Sequence, residues 1–458
     1  MAAVPVVLGQ RSGVLRVGGP VPQAPPGSPD VHPFRSTHGH HVLVADGSRL
    51  YDIDEALHTE LAALIADGSA ADALRGRLQD LGLASSDHIG QGAPAQVVDV
   101  RYASLAVAQS CNLGCTYCYA DGGDFGGTPA MMPLDVAYAT VDRLLADADP
   151  GGRIGLAFIG GEPLLNRRVI GDTVAYAAER AEACGVEVTF SITTNATLLT
   201  AADVDLFDEH GFAVTVSIDG LGEVHDALRP TRSGEGTWDR IMARVQPMLA
   251  RQGRMQVSAR ASITPANTAI RTAVAELLGM GFHSVGVAPV LRSPNGSGEL
   301  DPAQLDVLLA ELKATTVDFR AALDAGQSYR FSNITSALQM IHRGTHRPYP
   351  CGAGGAYLGV GADGSAAACH RFVGDDEGAM GSVDAGWDHA ARAGWAADRH
   401  VDRQEPCRSC WARYLCGGGC HHEVIGRGRT SCDFIRAWLE HCLATYVEVA
   451  NAHPRWFA

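Results

Sequence analysis

Positive charge is in short supply in this chain. Its 36 lysines and arginines stand against 51 aspartates and glutamates, a formal net charge of −15 over 458 residues. That balance argues against a broad basic face, so no nucleic-acid partner is expected. Long apolar runs are missing too: no stretch of about eighteen apolar residues occurs, and no membrane span is expected. The opening MAAVPVVLGQRSG has a brief apolar run but no charged n-region and no convincing cleavage site, so no export signal is expected.

What remains is a globular composition, 46% apolar and 19% charged with 53 glycines, and a length that suits about three domains. Of the twelve cysteines, ten fall in two tight sets. Such sets in a cytosolic chain read as metal ligands before disulfides, which points to a reducing cytoplasm.

Residues 1–37 read as a flexible lead-in, with GPVPQAPPGSPDVHP (19–33) rich in proline and glycine. Two strand-like runs around Asp46-Gly47-Ser48 and two short helical stretches follow, a winged-helix-like module within 38–90. From 99 to 300 strands alternate with helices. Strands are expected in RYASLAVA, RIGLAFI, VEVTFSITT, FAVTVSI, MQVSARASI and SVGVAPV, with helices over 135–147, 167–183, 201–209, 238–251 and 268–279. Six βα units in succession imply an α/β fold with a parallel sheet, either a partial barrel or an open doubly wound sheet. A barrel gathers its chemistry on the loops after its strands, where Cys111, Gly160–Pro163, Asn195, Ser217 and Asp219 fall. Residues 301–349 read as a helical bridge, 350–434 as a cysteine- and glycine-rich region, and 435–458 as a C-terminal helix and tail. The cysteine-rich region has too little apolar periodicity to fold on burial alone, and metal clusters would supply what its core lacks.

The string CNLGCTYCYA places Cys111, Cys115 and Cys118 within eight residues, with Tyr117 before the last. A [4Fe–4S] cluster takes four thiolates, so three leave one iron for a small chelator. This CxxxCxxC string resembles the radical S-adenosylmethionine superfamily. The resemblance implies a cluster at Cys111, Cys115 and Cys118 whose open iron binds S-adenosylmethionine, which is cleaved to a hydrogen-abstracting 5′-deoxyadenosyl radical. It also implies that GGEP (Gly160, Gly161, Glu162) holds the methionine amino group. Asn195, Ser217 and Asp219 would face ribose or substrate. Arg260 would meet the methionine carboxylate, and the 285–290 run around Val287 would lie against adenine.

Cys351, Cys369, Cys407, Cys410, Cys416, Cys420 and Cys432 resemble the SPASM extension of peptide-modifying radical enzymes. That resemblance implies two auxiliary [4Fe–4S] clusters, three clusters in all. The distal one would sit on Cys407, Cys410, Cys416 and Cys432, the proximal one on Cys351, Cys369 and Cys420. Where sulfatase-maturing members carry a further cysteine, this chain has Thr345, flanked by His342 and His346. Either His346 or Cys442 closes the proximal set or one iron is open, although Cys442, beside Trp438 and Leu439, suits a buried structural thiol. CHRFVG (369–374) resembles thioether-forming maturases, including sactipeptide synthases and the enzymes that crosslink the quinohemoprotein amine dehydrogenase subunit. The function implied is installation of an intramolecular crosslink, preferably a thioether, in a ribosomally made precursor peptide bound through its leader. An electron donor such as flavodoxin or ferredoxin would feed the reaction. Open alternatives are a C–C or C–O cyclophane former, a formylglycine-type sulfatase maturase, and a non-catalytic iron–sulfur protein.

Overall fold

The computed structural model describes residues 31–45, 48–67, 71–83 and 98–457. Most of the proline-rich lead-in and the tip at Asp46-Gly47 lie outside the described residues. The lead-in ends earlier than expected, because β1 (Val31–Ser36) forms an antiparallel sheet with β2 (Gly39–Val44) and β3 (Arg49–Ile53). Pro33 is tolerated there because β1 is an edge strand. Buried Val31 and Phe34 supply apolar contacts that the proline and glycine content conceals. Helices α1 (Glu55–Ala66) and α2 (Ala71–Asp80) cover one face, sharing a small core with Val31, Val42 and Val44.

Alternating strands and helices follow as expected. Strand β4 (Tyr102–Gln109) starts the series and pairs briefly with β5 (Ala130–Met131). Then come α3 (Leu134–Ala146), β6 (Arg153–Gly160), α4 (Arg167–Cys184), β7 (Glu187–Thr194), α5 (Ala201–Glu209) and β8 (Ala213–Ser217). A short helix α6 (Glu223–Leu228), absent from the sequence reading, precedes α7 (Trp238–Leu249), β9 (Gln256–Ile263), α8 (Arg271–Gly279) and β10 (Ser284–Pro289). The sheet order β10-β9-β8-β7-β6-β4 is sequential and parallel throughout. All six strands therefore end on one rim. Buried Leu105, Leu156, Phe158, Ile192, Val216 and Val257 build the core between sheet and helices.

Two additions frame this sheet. Helices α9 (Pro302–Asp324) and α10 (Ser332–His342) follow β10, and Asn333 of α10 exchanges two hydrogen bonds with the backbone of Val287, at 2.9 and 3.0 Å. At the other edge β11 (Tyr357–Val360) pairs parallel to β4, and β12 (Ser365–Ala367), β13 (Ala379–Ser382) and β14 (Gly386–Trp387) extend the sheet antiparallel. The cysteine-rich region is thus stitched onto the first strand of the series. Helices α11 (His389–Arg399), α12 (Arg413–Cys416), α13 (His421–Arg427) and the long α14 (Cys432–Ala452) complete the chain.

The N-terminal sheet is seated on this body. Phe34 and Leu43 belong to the main core, Thr37 Oγ1 donates to Glu448 of α14 at 3.0 Å, and Ser48 Oγ donates to the Thr345 carbonyl at 2.9 Å. His32 stacks on Trp411 with ring centres 3.9 Å apart. Among the described residues, no helix is long and apolar enough to cross a membrane.

Candidate functional site

Cys111, Cys115 and Cys118 lie in the loop after β4, each partly exposed. Burial pushes the Cys111 thiol up to about 11, helped by the charges of Glu162, Cys115 and Cys118, so the three thiols are electrostatic neighbours. Two donors already point at the Cys111 sulfur: the Leu113 amide at 3.4 Å and the Asn195 side-chain amide at 3.8 Å. Such donors favour a thiolate, the form that ligates metal.

The GGEP loop serves this cysteine loop directly. A Cβ on Gly160 would stand 2.2 Å from the Ala108 carbonyl oxygen, and one on Gly161 2.3 Å from that of Ser110. The glycines therefore allow backbone to lie against backbone, and the Gly161 and Glu162 amides donate to Ala108 and Ser110, each at 2.9 Å. Glu162 is fully buried. Its carboxylate accepts from the Leu164 amide (3.0 Å), the Thr194 hydroxyl (2.7 Å) and the Asn195 amide (2.7 Å). Burial raises its pKa against those three bonds. These bonds tie the β6 loop to the end of β7.

Asn195 and Asp219 are both hydrogen-bonded within the protein. Asn195 donates to Asn112 Oδ1 at 3.0 Å and accepts from Thr197, bracing the cysteine loop. Asp219 is buried, with Oδ1 accepting from the Ser262 amide at 2.6 Å. Its Oδ2 accepts from the Tyr117 hydroxyl and from Arg229 Nη1, the latter at 3.2 Å. Arg229 was not legible in the sequence as a site residue. Burial opposes its charge, but Asp219 and then Cys115 outweigh burial and raise its pKa. Cys115, raised by burial, is in turn lowered by Arg229. The Val287 backbone exchanges two hydrogen bonds with the Asn333 side chain. Ser217 ends β8 opposite Arg260 of β9. Arg260 keeps solvent contact, although the surrounding protein and the charge of Arg371 lower its pKa while Glu423 opposes them.

The second cysteine group lies across from the first. Burial pushes Cys369 up to about 12, with Cys420 and Cys351 adding to the shift, so these three also face one another. Arg371 Nη1 lies 3.7 Å from the Cys420 sulfur and donates to Glu423 at 2.8 Å. Between the two groups stands Tyr119, whose pKa is raised by burial, opposed by Arg371 and increased by both Cys118 and Cys369. His370 sits 5.7 Å from its ring and shares a 2.7 Å hydrogen bond with the Tyr357 hydroxyl.

The Thr345 carbonyl takes the Ser48 hydroxyl, the His346 ring packs 3.7 Å from that of Tyr414, and Cys442 is wholly buried in α14. The third group is Cys407, Cys410, Cys416 and Cys432, which together line one small cavity with Arg413 and Arg429. Burial takes Cys407 up to about 12; Arg429 opposes it, and Cys416, Cys432 and Cys410 add to it. Among the described residues, no three His, Cys, Asp or Glu side chains are drawn together as around a single metal ion. A four-iron cluster instead spreads its thiolates over separate irons. Thiols grouped in sets of three, three and four, from buried Cys407 to exposed Cys351, fit that donor chemistry.

A sequential parallel α/β sheet carries a three-cysteine loop on its C-terminal rim and a cysteine-rich extension on its first strand, the layout of a partial barrel. Residues 105–252 match the model of the Radical SAM superfamily. The serine-type anaerobic sulfatase-maturating enzyme of Klebsiella aerogenes is 24% identical over 361 residues, 75% of this chain and 85% of that protein. A Methanocaldococcus jannaschii protein is 35% identical over 136 residues, 30% of this chain but only 44% of its own length. Among solved structures, anSMEcpe with bound AdoMet superposes with a TM-score of 0.64 at 19% identity, covering 77% of this chain and all (100%) of that one. Streptococcus suis SuiB bound to the precursor peptide SuiA gives 0.52 at 16%, covering 88% and 97%.

Proposed function

We propose that this protein is a radical SAM peptide maturase that installs an intramolecular thioether in a ribosomally made precursor peptide. Cys111, Cys115 and Cys118 would hold the cluster that carries S-adenosylmethionine. Cys351, Cys369 and Cys420 would hold a proximal auxiliary cluster, and Cys407, Cys410, Cys416 and Cys432 a distal one. Reductively cleaved S-adenosylmethionine supplies a hydrogen-abstracting radical when bound. A flavodoxin- or ferredoxin-type protein would supply the electron, in the cytoplasm.

The observation that carries the thioether reading is the proximal set of three. Thr345 offers a hydroxyl in place of a thiol and Cys442 is wholly buried in α14, so a substrate thiol would complete the set of Cys351, Cys369 and Cys420. Arg371, beside the Cys420 sulfur, favours negative charge on sulfur there. Tyr119 packs against His370 and Arg371, and these three side chains would meet a peptide bound between the first two cysteine groups. Forming the S–C bond removes one hydrogen atom from carbon and one proton from the thiol, and leaves one electron for an acceptor. The likeness to anSMEcpe and SuiB, whose solved structures hold a bound peptide, supports a peptide substrate.

The test is co-expression with a short cysteine-containing peptide encoded beside the gene, followed by mass spectrometry. A product two mass units lighter, with one fewer thiol to alkylate, is expected. The likeness to a serine-type sulfatase-maturating enzyme favours a second reading, oxidation of a side chain to an aldehyde. A product that reacts with a hydrazide and retains its other thiols would replace the thioether by that reading. Normal crosslinking of a cysteine-free peptide would point to a carbon–carbon or carbon–oxygen bond.

A further inference from the structure

Away from the cysteine groups, an open groove of about 1170 Å³ runs along the outside of α10. Its floor is one helical stripe, Ser332, Thr335, Ser336, Gln339, Met340 and Arg343, spaced by three or four residues. The opposite stripe, Ile334, Ala337, Leu338 and Ile341, is buried against the body. The far wall is the segment after α14, from Ala452 to Trp456. The lower end is closed by His283 and Ser284 at the start of β10, with Arg330 Nη1 2.8 Å from His283 Nε2.

The charge of this groove is opposite to that of the chain. Arg330, Arg343 and Arg455 are exposed along it, and no aspartate or glutamate is among its described lining residues. The neighbouring carboxylate of Asp324 is taken by His453 at 2.8 Å. In a protein of net charge −15, three exposed guanidiniums on one groove free of carboxylates mark a surface for an acidic partner. Their spacing favours an extended one. Helix α10 has 11 residues and is about 16 Å long. Arg330 before its first turn and Arg343 after its last therefore cannot converge on one small anion. An extended peptide of about five residues spans the same length. Ser, Thr and Gln side chains between them can bond its backbone, and Trp456 and Met340 offer apolar contact.

The upper end of the groove adjoins the N-terminal sheet, since Thr345, two residues past Arg343, takes the Ser48 hydroxyl. A polypeptide leaving that sheet meets Arg343 first. The lower end lies at the start of β10, the end of the strand remote from the Cys111–Cys118 loop.

We propose that the α10 groove binds an acidic, extended stretch of the substrate polypeptide, as an exosite outside the reaction space. This rests on the peptide-modifying function proposed above. The test uses the full-length, anaerobically reconstituted protein and a fluorescein-labelled peptide of eight glutamates, with eight glutamines as control, read by fluorescence anisotropy. The glutamate peptide should bind, more weakly as salt is raised, and the glutamine peptide should not. Arg330→Glu, Arg343→Glu and Arg455→Glu combined should weaken binding about tenfold or more, as expected for several lost charge contacts. Arg168→Glu on exposed α4 should leave it unchanged. Ser336→Asp, a single exposed change on the groove floor, should weaken binding about twofold or more and guards against a misfolded triple variant.

Equal binding by wild type and both groove variants overturns the proposal, as does no binding of the glutamate peptide. Inorganic triphosphate that binds the groove where the peptide does not would make it a phosphate site instead. Reductive cleavage of S-adenosylmethionine is measured in the same samples. If cleavage persists while peptide binding fails, the exosite is wrong and the enzyme class stands; if cleavage is absent from wild type, the function proposed above fails first.

Discussion

Arg229 Nη1 donates to Asp219 Oδ2 at 3.2 Å, and this ion pair lies within electrostatic reach of Cys115. The pair and the Tyr117 hydroxyl form one buried unit joining the cysteine loop, the end of β8 and the turn after α6. Its two charges neutralise each other where neither is solvated, and the net effect on Cys115 is to favour the thiolate.

Arg229→Met should therefore harm the protein in two ways. Leaving Asp219 buried without its counter-ion costs about 3–5 kcal/mol. The thiol of Cys115 also loses the charge that lowers its pKa. Iron per chain and the thermal midpoint should both fall, with Arg229→Lys intermediate because it keeps the charge but not the planar fork. Unchanged iron content in the methionine variant would show that the pair serves stability alone.

The cysteine sets predict a metal count. Reconstituted protein should approach about twelve irons and twelve sulfides per chain, four of each per cluster. Joint replacement of Cys111, Cys115 and Cys118 by alanine should remove about a third and abolish S-adenosylmethionine cleavage. Elemental analysis showing zinc, with about four irons, would reassign the C-terminal set.

The strand alternation and the cysteine spacing were legible because both are periodic or local. All six parallel strands fall where apolar β-rich runs follow helical stretches, and Cys111, Cys115 and Cys118 declare themselves within one loop. Relationships across the chain left no such trace. Arg229 is one arginine in a turn, 112 positions from the Tyr117 hydroxyl it meets, and nothing in its neighbours marks it as buried. Asn333 caps Val287 from 46 positions away, and no hydrophobic period records a side-chain amide pairing with an edge strand. Glu162 reads from sequence as a ligand residue, yet its burial and three donors emerge only once β6 and β7 are side by side. Strand β1 was hidden by Pro33 and the glycine-rich run before it.

Acid should weaken this fold through His225. The residue is fully buried, accepts the Asp219 amide at 3.3 Å on Nδ1, and has its pKa lowered to about 3 by burial and then Arg229. The unfolded chain takes up its proton near 6.5, so it binds more protons than the folded one between about pH 6.5 and 3. This contribution to stability is complete above pH 6.5 and is lost as pH falls, by about 2 kcal/mol at pH 5. His225→Asn retains an acceptor without the titration. Its thermal midpoint should fall less between pH 7.5 and 5 than that of the wild type, and parallel profiles would sink the assignment.

The N-terminal sheet offers a peptide one edge. Strand β1 is covered by α14, through Thr37 with Glu448 and His32 with Glu440. The outer edge of β3 has no strand partner among the described residues. Its unpaired amides and carbonyls are a template for an added strand. Deleting the sheet to test this would also strip Phe34 and Leu43 from the main core, and any lost binding could then reflect damage to the body. Hydrogen exchange avoids that difficulty. With a precursor peptide that carries its leader, amides within 49–53 should exchange more slowly, because those facing outward gain a partner. Amides of β1 within 31–36 should change little, since that strand is already covered. A leaderless peptide should give no protection at either strand. Protection confined to α10, with β3 unchanged, would move leader recognition from the sheet edge to the groove.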